Sequence, residues 1–439
     1  MKRFTKGMFV PLFLCQAWPA NARGDSSERA RRIQTVVKTR GFVALWDFVL
    51  RGSDGRFDAH KAKNVSQDLR LDATNYVREF WNLGRAATYE DFPLLGRGPF
   101  GQAIQIRKES DPNFRPSLMI PRDRIHNSRL DVKGPGKSVS VVAWIIRESG
   151  AHAIAGIWHE GTDLKTGGPP ATRIERGKRQ YALFLGLAAN PGGAAGHVSE
   201  NGEKSFGDRY ARNLSVTPEK VPELAADSPP EQLDAAWAVV AFAFDNQRNT
   251  VTSYLNGVAT EYWIDNPSQH PFYQWPARGW LQAQLHAQPG QQEGEDPSFP
   301  RDQFYQPPED KPRRRTILSQ TADQRTELHE FAFTKVKVTL RRQASGKFVV
   351  EKRELAALRV NPFWFAHDLY SPSSLSEGGP FTIGRVIQSN RGLGTTGYLG
   401  AVAVFDRALS PSEMARLAQI RKPVPAPASK EALAPRMAP

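Results

Sequence analysis

From residue 41 onward the chain is cut into short runs in which apolar and polar residues alternate, with Gly, Pro, Asn or Asp between them. Runs of this length suit strands rather than helices, and period-two alternation buries one face of a sheet. Strands are predicted at 42–48, 102–106, 138–146, 152–158, 180–187, 237–245, 250–255, 258–263, 331–340, 347–351, 381–387 and 398–405. Asn256-Gly257 separates 250–255 from 258–263, and both residues tolerate positive φ, as a two-residue hairpin loop requires. Along 237–244 both faces are apolar, so that strand is expected to be buried on both sides. Helical pattern is scarce. Its clearest case is Pro411–Ile420, with Ser410 as N-cap, Pro411 first and Glu413 closing a capping box. The pattern is all-β, of sandwich or jelly-roll type, without βαβ alternation.

The ends read differently. Residues 1–22 carry a basic start (Lys2, Arg3, Lys6), an apolar stretch from Met8 to Ala17 and a small-x-small site at Ala20-Asn21-Ala22. That is the form of a signal peptide, and it implies export to a periplasmic or extracellular setting. The remaining chain would then have no cysteine, since Cys15 is the only one. That excludes a disulfide framework and a thiolate zinc site. Beyond the N-terminus no run of 18 apolar residues exists, so no transmembrane segment is expected. Residues 23–40 read as a leader with a short helix capped by Ser26 or Ser27. Residues 422–439 are Pro/Ala-rich and read as a disordered tail. Residues 188–234 and 286–325 have the texture of insertions, the second an exposed loop. The formal charge of +14, or +11 once Lys2, Arg3 and Lys6 leave with the signal peptide, suits anionic polymers, and for an exported chain these are acidic glycans and cell surfaces rather than nucleic acid.

Six segments together resemble the laminin-G-like (LamG) group of the concanavalin A-like lectin/glucanase superfamily. They are GFVALWDF (41–48), GPFGQAIQI (98–106), SVSVVAWI (138–145), AWAVVAFAFDNQRNTVTSYLNGVAT (236–260), PFTIGRV (380–386) and GYLGAVAVFDRALSPSEMARL (397–417). The resemblance implies a jelly-roll sandwich of two antiparallel sheets over residues 41–421. A long insertion at about 264–380 and a short C-terminal helix would complete it. Members of the group often hold a structural calcium with acidic residues after the first strand and in the last. Here those positions are Val49-Leu50 and Gly400-Ala401. Asp47, Asp54 and Asp58 are left as oxygen donors, and no other cofactor is implied.

The same scaffold hosts glycosidases and polysaccharide lyases, but the paired carboxylates of a glycosidase motif are missing. Arg325–His329 and Gln284–His286 echo short alginate-lyase strings in reversed order. Gly392-x-Gly394-x-x-Gly397 matches a dinucleotide fingerprint, yet a strand follows it, so it reads as a glycine-rich turn. Trp158-His159-Glu160 and His367-Asp368 read as surface His–acid neighbours. The richest cluster is aromatic: Tyr262, Trp263, Phe272, Tyr273, Trp275 and Trp280 fall within twenty residues interleaved with prolines, read as a rigid loop, and Trp364 stands in a second run. Flat rings stack on sugars and polar neighbours bind hydroxyls. The candidate carbohydrate-binding residues are therefore Tyr262, Trp263, Asp265, Tyr273, Trp275, Arg278, Trp280 and Trp364; the competing reading is that the two runs pack on each other. The function expected is an exported carbohydrate- or cell-surface-binding sandwich without catalysis. A polysaccharide-active enzyme and a structural cell-envelope protein are the alternatives.

Overall fold

A computed structural model describes residues 21–161, 177–202, 213–286, 299, 301–388 and 390–427. The signal-peptide reading concerns residues that lie almost wholly outside these. The chain is an all-β sandwich in which every ladder between named strands is antiparallel.

One main sheet has eight strands. Its path is Phe363–Trp364, Thr250–Leu255, Ala238–Asp245, Val139–Ser149, Thr396–Phe405, Phe42–Trp46 and His60–Lys61, and Ile104–Ile106 pairs beside Thr396–Phe405. The other has seven, in the order Leu214–Lys220, Gly193–Val198, Lys178–Leu185, Ala153–His159, Phe381–Ile383, Pro116–Ile120 and Asp72–Asn75. The core lies between them. Val141, Ala143, Val240, Phe242 and Phe244 of the first meet Leu118, Ile157, Leu183 and Phe381 of the second in one apolar cluster.

The two-sided burial expected of the central strand is met. Val240, Phe242 and Phe244 face the core, whereas Val239, Ala241 and Ala243 belong to a second apolar cluster. Helix α1 (Asn21–Val37) supplies Ile33 and Val36 to this cluster, and the C-terminal helix (Pro411–Leu417) supplies Met414 and Leu417. The outer face of the eight-stranded sheet is thus apolar and roofed by helices. The C-terminal helix starts as the sequence predicts. The Ser410 hydroxyl accepts from the Glu413 N–H, and the Glu413 carboxylate accepts from the Ser410 N–H.

Several expectations are corrected. Helix α1 runs through Ser26 and Ser27 instead of starting at them. Residues 193–198 and 214–220, read as part of an insertion, are strands of the seven-stranded sheet. After Asn256-Gly257 only Leu255 and Val258 pair, because the chain leaves for another sheet. That third sheet orders Tyr262–Asp265, Phe348–Asn361, Thr334–Arg342, Gln324–Glu330 and Arg314–Gln320. The 264–380 stretch therefore carries its own five-stranded sheet. The supposed loop 286–325 ends in a hairpin strand, where Thr316 and Ile317 favour extended backbone. The tail is ordered at its start: Val424–Pro425 pairs with Arg97–Gly98, and Arg32 of α1 donates to the Lys422 carbonyl at 2.5 Å.

Candidate functional site

The eight aromatic and polar candidates separate when the chain folds. Pro276 falls in the first turn of a helix, Gln274–His286, where proline's missing N–H has no partner to lose, so the expected rigid loop is helical there. Tyr273 and Trp280 are then interior residues. The Tyr273 hydroxyl donates to the Leu214 carbonyl at 3.2 Å, and the Trp280 indole donates to Glu309 at 2.9 Å. Their polar atoms are thus already bonded within the fold. Tyr262, Trp263, Trp275 and Trp364 are half-buried, and Asp265 and Arg278 are exposed. Trp263 lies under Lys335 with its indole on Glu261, whereas Trp364 packs edge-on against Tyr305. Tyr305 also touches Gly279 of the 274–286 helix, so the two aromatic runs pack through it rather than form one binding face.

The calcium candidates do not gather either. Asp47 is fully buried, and its carboxylate receives Arg29 at 2.5 Å, His60 at 3.0 Å and the N–H groups of Val49 and Leu50. Burial alone would raise this carboxyl, but His60, then Arg29 and the Leu50 N–H, hold it well below the usual carboxylate range. Asp54 is taken up by Arg56 and Arg70. Asp58 accepts from the N–H of Ala59. Among the described residues no three His, Cys, Asp or Glu side chains gather as a metal would need.

A different group stands out, on the outer face of the seven-stranded sheet. Gly196 abuts Phe242 of the facing sheet, so its neighbour His197 points the other way. Ala182 pairs with His197, and Gly156 and Thr382 follow in the same row across the sheet. Phe184, Trp158 and His197 form an aromatic floor with ring centroids 4.2 to 5.5 Å apart, and Arg179 lies 5.6 Å from the Trp158 ring. His152 packs on Phe184 at 5.3 Å.

This face is strongly curled. His152 and Glu160 flank the Ala153–His159 strand, and eight residues of flat strand would set them about 26 Å apart. Their side chains instead approach to 3.8 Å. Irregularities at Ala153/Ala155 and Ile157/Trp158 bend the strand. The chain after Phe381–Ile383 then doubles back along it. The Gly384 N–H is bonded to Ile154, and only three residues later Ile387 bridges to His159. This crossing segment carries Arg385 and Gln388 to the His152 end of the group, and Ile387 packs with Tyr76 and Val77 from the start of the short helix Tyr76–Trp81. The glycine-rich turn follows. At Gly394 (φ 70°) a Cβ would stand 3.4 Å from the Gln388 amide, 3.6 Å from Arg385 Nη1 and 3.6 Å from His152 Cβ.

The chemistry here is unusual for an interior. The Tyr76 hydroxyl, Trp158 Nε1, Thr382 Oγ1, Gln388 Nε2, Glu160 Oε1 and the Nε and Nη1 of Arg385 are buried and find no hydrogen-bond partner among the described residues. Most buried polar groups in proteins are paired, and each exception calls for a reason. Burial raises the Tyr76 hydroxyl far above its ordinary range. It lowers His152 to about 4 against the pull of Glu160, so the imidazole is neutral at pH 7. It lowers Arg385 to about 10, which leaves the guanidinium charged. The sequence signals for this site were Trp158-His159-Glu160 and the Gly392–Gly397 turn. In sequence the first reads as a surface pair, but His159 is fully buried and Glu160 nearly so.

No family model matches the chain, and no curated protein matches it. Among solved structures it is similar to domain 4 of AbnA, a GH43 extracellular arabinanase from Geobacillus stearothermophilus in complex with arabinotriose, at 10% identity over 86% of this chain and 98% of that one, with a TM-score of 0.31. It is also similar to the botulinum neurotoxin serotype G binding domain, at 7% identity and a TM-score of 0.32. A third is the serotype D ligand binding domain in complex with N-acetylneuraminic acid, at 6% and 0.29. Each toxin match takes in 86% of this chain and 50% of the toxin chain. At these TM-scores the function rests on the residues themselves.

Proposed function

We propose that this protein is a carbohydrate-binding β-sandwich, and that the sugar is held on the outer face of the seven-stranded sheet. The observation that carries the reading is the grouping there of buried polar atoms without partners beside a Trp–Phe–His floor. Such a mixture suits a sugar, whose ring faces are apolar and whose rim of hydroxyls both donates and accepts. The opposite outer face is apolar and closed by two helices, and there the indole N–H groups of Trp144 and Trp237 are buried without partners but stand among apolar side chains. The laminin-G-like resemblance and the export reading fit the same role. A polysaccharide-active enzyme is the second reading, favoured by the His152–Glu160 pair with the Tyr76 hydroxyl nearby. Incubating the chain with polysaccharides and assaying for released ends tests it directly.

The binding test is calorimetry or a glycan array on the chain and on two variants. Gln388→Met keeps the shape and removes the amide. Loss of one such hydrogen bond, about 1 kcal/mol, predicts roughly fivefold weaker binding. Trp263→Ala probes the half-exposed aromatics, and it is expected to leave affinity unchanged. Binding lost in Trp263→Ala but kept in Gln388→Met would move the site to the five-stranded sheet.

A further inference from the structure

Within the polar group the charged side chain without an ion-pair partner among the described residues is Arg385. This side chain is 1% exposed. Its Nη2 donates to the Arg107 carbonyl at 2.6 Å. Its Nε and Nη1 have no partner among the described residues, and no described carboxylate lies within ion-pair distance of it. Arg115, 5% exposed, lies nearby and is likewise met only by carbonyls, those of Asp111, Phe114 and Arg391. Both guanidinium groups act on Tyr76.

Elsewhere the fold pairs two of its buried arginines with carboxylates. Arg122 makes two bonds, 2.7 and 2.9 Å, to the oxygens of Asp131. Arg147 reaches Glu223 at 2.6 Å. A buried charge without a counter-charge is costly and persists only for a reason outside folding. Glu160 is the carboxylate of the group, but it lies against the His152 ring at 3.8 Å and makes no ion pair with Arg385. Glu109 influences Arg385 only from beyond ion-pair distance. The unpartnered polar atoms of the group include donors besides the N–H groups of Arg385: the Gln388 amide nitrogen and the Tyr76 hydroxyl.

Building on the carbohydrate reading, we infer that the sugar taken by this site is acidic, a uronate or sulfated unit whose anionic group is received by Arg385 with Tyr76 as a second donor. A carboxylate or sulfate would supply the missing counter-charge and accept hydrogen bonds from both. Arginine is suited to this because its guanidinium stays charged when buried and presents several N–H groups in fixed directions.

The test is calorimetry on the full chain with three probes: an oligogalacturonate, the same oligosaccharide with its carboxyl groups reduced, and inorganic sulfate. The expected result is binding of the oligogalacturonate, with affinity at least tenfold lower for the reduced form. Arg385→Gln is expected to abolish that difference, and Arg385→Lys to restore part of it. The unliganded Arg385→Gln protein should melt at the same temperature or higher, because an uncompensated buried charge has gone. Equal affinity for the acidic and reduced forms, unchanged in Arg385→Gln, would overturn the inference and leave the carbohydrate reading standing. Binding of sulfate but of neither oligosaccharide would overturn the saccharide. No binding of any probe, or a lower melting temperature of the variant, would give Arg385 a purely structural role and overturn the inference.

Discussion

His152 and His159 show how position decides what a residue type means. Both are imidazoles at the ends of one strand; His159 is fully buried, and the His152 side chain is 13% exposed. Burial is the main cause of their shifts, to about 4 for His152 and about 3 for His159, where Lys178 and Arg179 add to it. In the unfolded chain each would titrate near 6.5. Because the folded values are depressed, their contribution to stability is complete above about pH 6.5. It falls as the pH drops toward 4 and then 3, since only the unfolded state takes up the protons. The urea midpoint is therefore expected to fall steadily between pH 6.5 and 4, and His152→Gln should flatten that slope. A slope unchanged in the variant would count against the buried neutral imidazole. The adjacent Glu160 shows the limit of sequence reading at this scale. A His-Glu dipeptide at a strand end is ordinarily solvated, and only the curl of the strand turns this one inward.

Among the elements, the C-terminal helix is the one whose whole logic is local. Ser410, Pro411 and Glu413 fix its start within four residues, and Arg407 adds a pair to Glu413 at 3.0 Å. The Arg407 bond, the largest influence, together with the Ser410 N–H, holds the Glu413 carboxyl down at about 2. Ser410→Ala should lower stability by about 1 kcal/mol, measured by chemical denaturation. A helix that only packed, without needing its cap, would show no change. The hairpin at Asn256-Gly257 is the contrasting case. Its turn residues take positive φ as expected (52° and 81°), yet the ladder stops after one pair. Asn361 explains why the chain can leave. Its side chain, fully buried, accepts from the Ser253 N–H and donates to the Ser253 and Thr260 carbonyls, satisfying backbone that a longer hairpin would have paired. Nothing in the local sequence marks residue 361 as the partner of 253.

At the scale of the whole molecule, the two outer faces of the sandwich have opposite fates. One is apolar and is closed by elements from the two ends of the chain; the other is polar and crossed by the 384–388 segment. Arg29 fastens the N-terminal helix to the first face. It bonds the buried Asp47 and the Phe100 carbonyl at 2.8 Å, and Arg32 beside it reaches Pro99 and Lys422. Arg29→Ala would leave Asp47 with His60 and two backbone N–H groups. The expected loss is about 1–3 kcal/mol, less than for a wholly buried pair because the Arg29 side chain is 20% exposed. Urea unfolding at pH 7 measures it, and stability unchanged from the parent would show that the helix roof is not anchored there.

The sequence by itself determined the all-β class, the central strand apolar on both faces and the capped C-terminal helix, because alternation, turn residues and caps act over a few residues. It also located the aromatic wealth of the 261–280 stretch, but not its use. Tyr273 and Trp280 became core because a helix and a third sheet close on them, a matter of contacts far apart in the chain. The candidate site is the extreme case. Tyr76, the His152–Glu160 pair and Arg385 come from three distant segments, and neither the Trp158–Glu160 run nor the Gly392–Gly397 turn shows in sequence that they meet. Only the curling of one strand and the return of the chain across it gather them. Only burial among one another then turns ordinary surface residue types into polar groups that call for a partner.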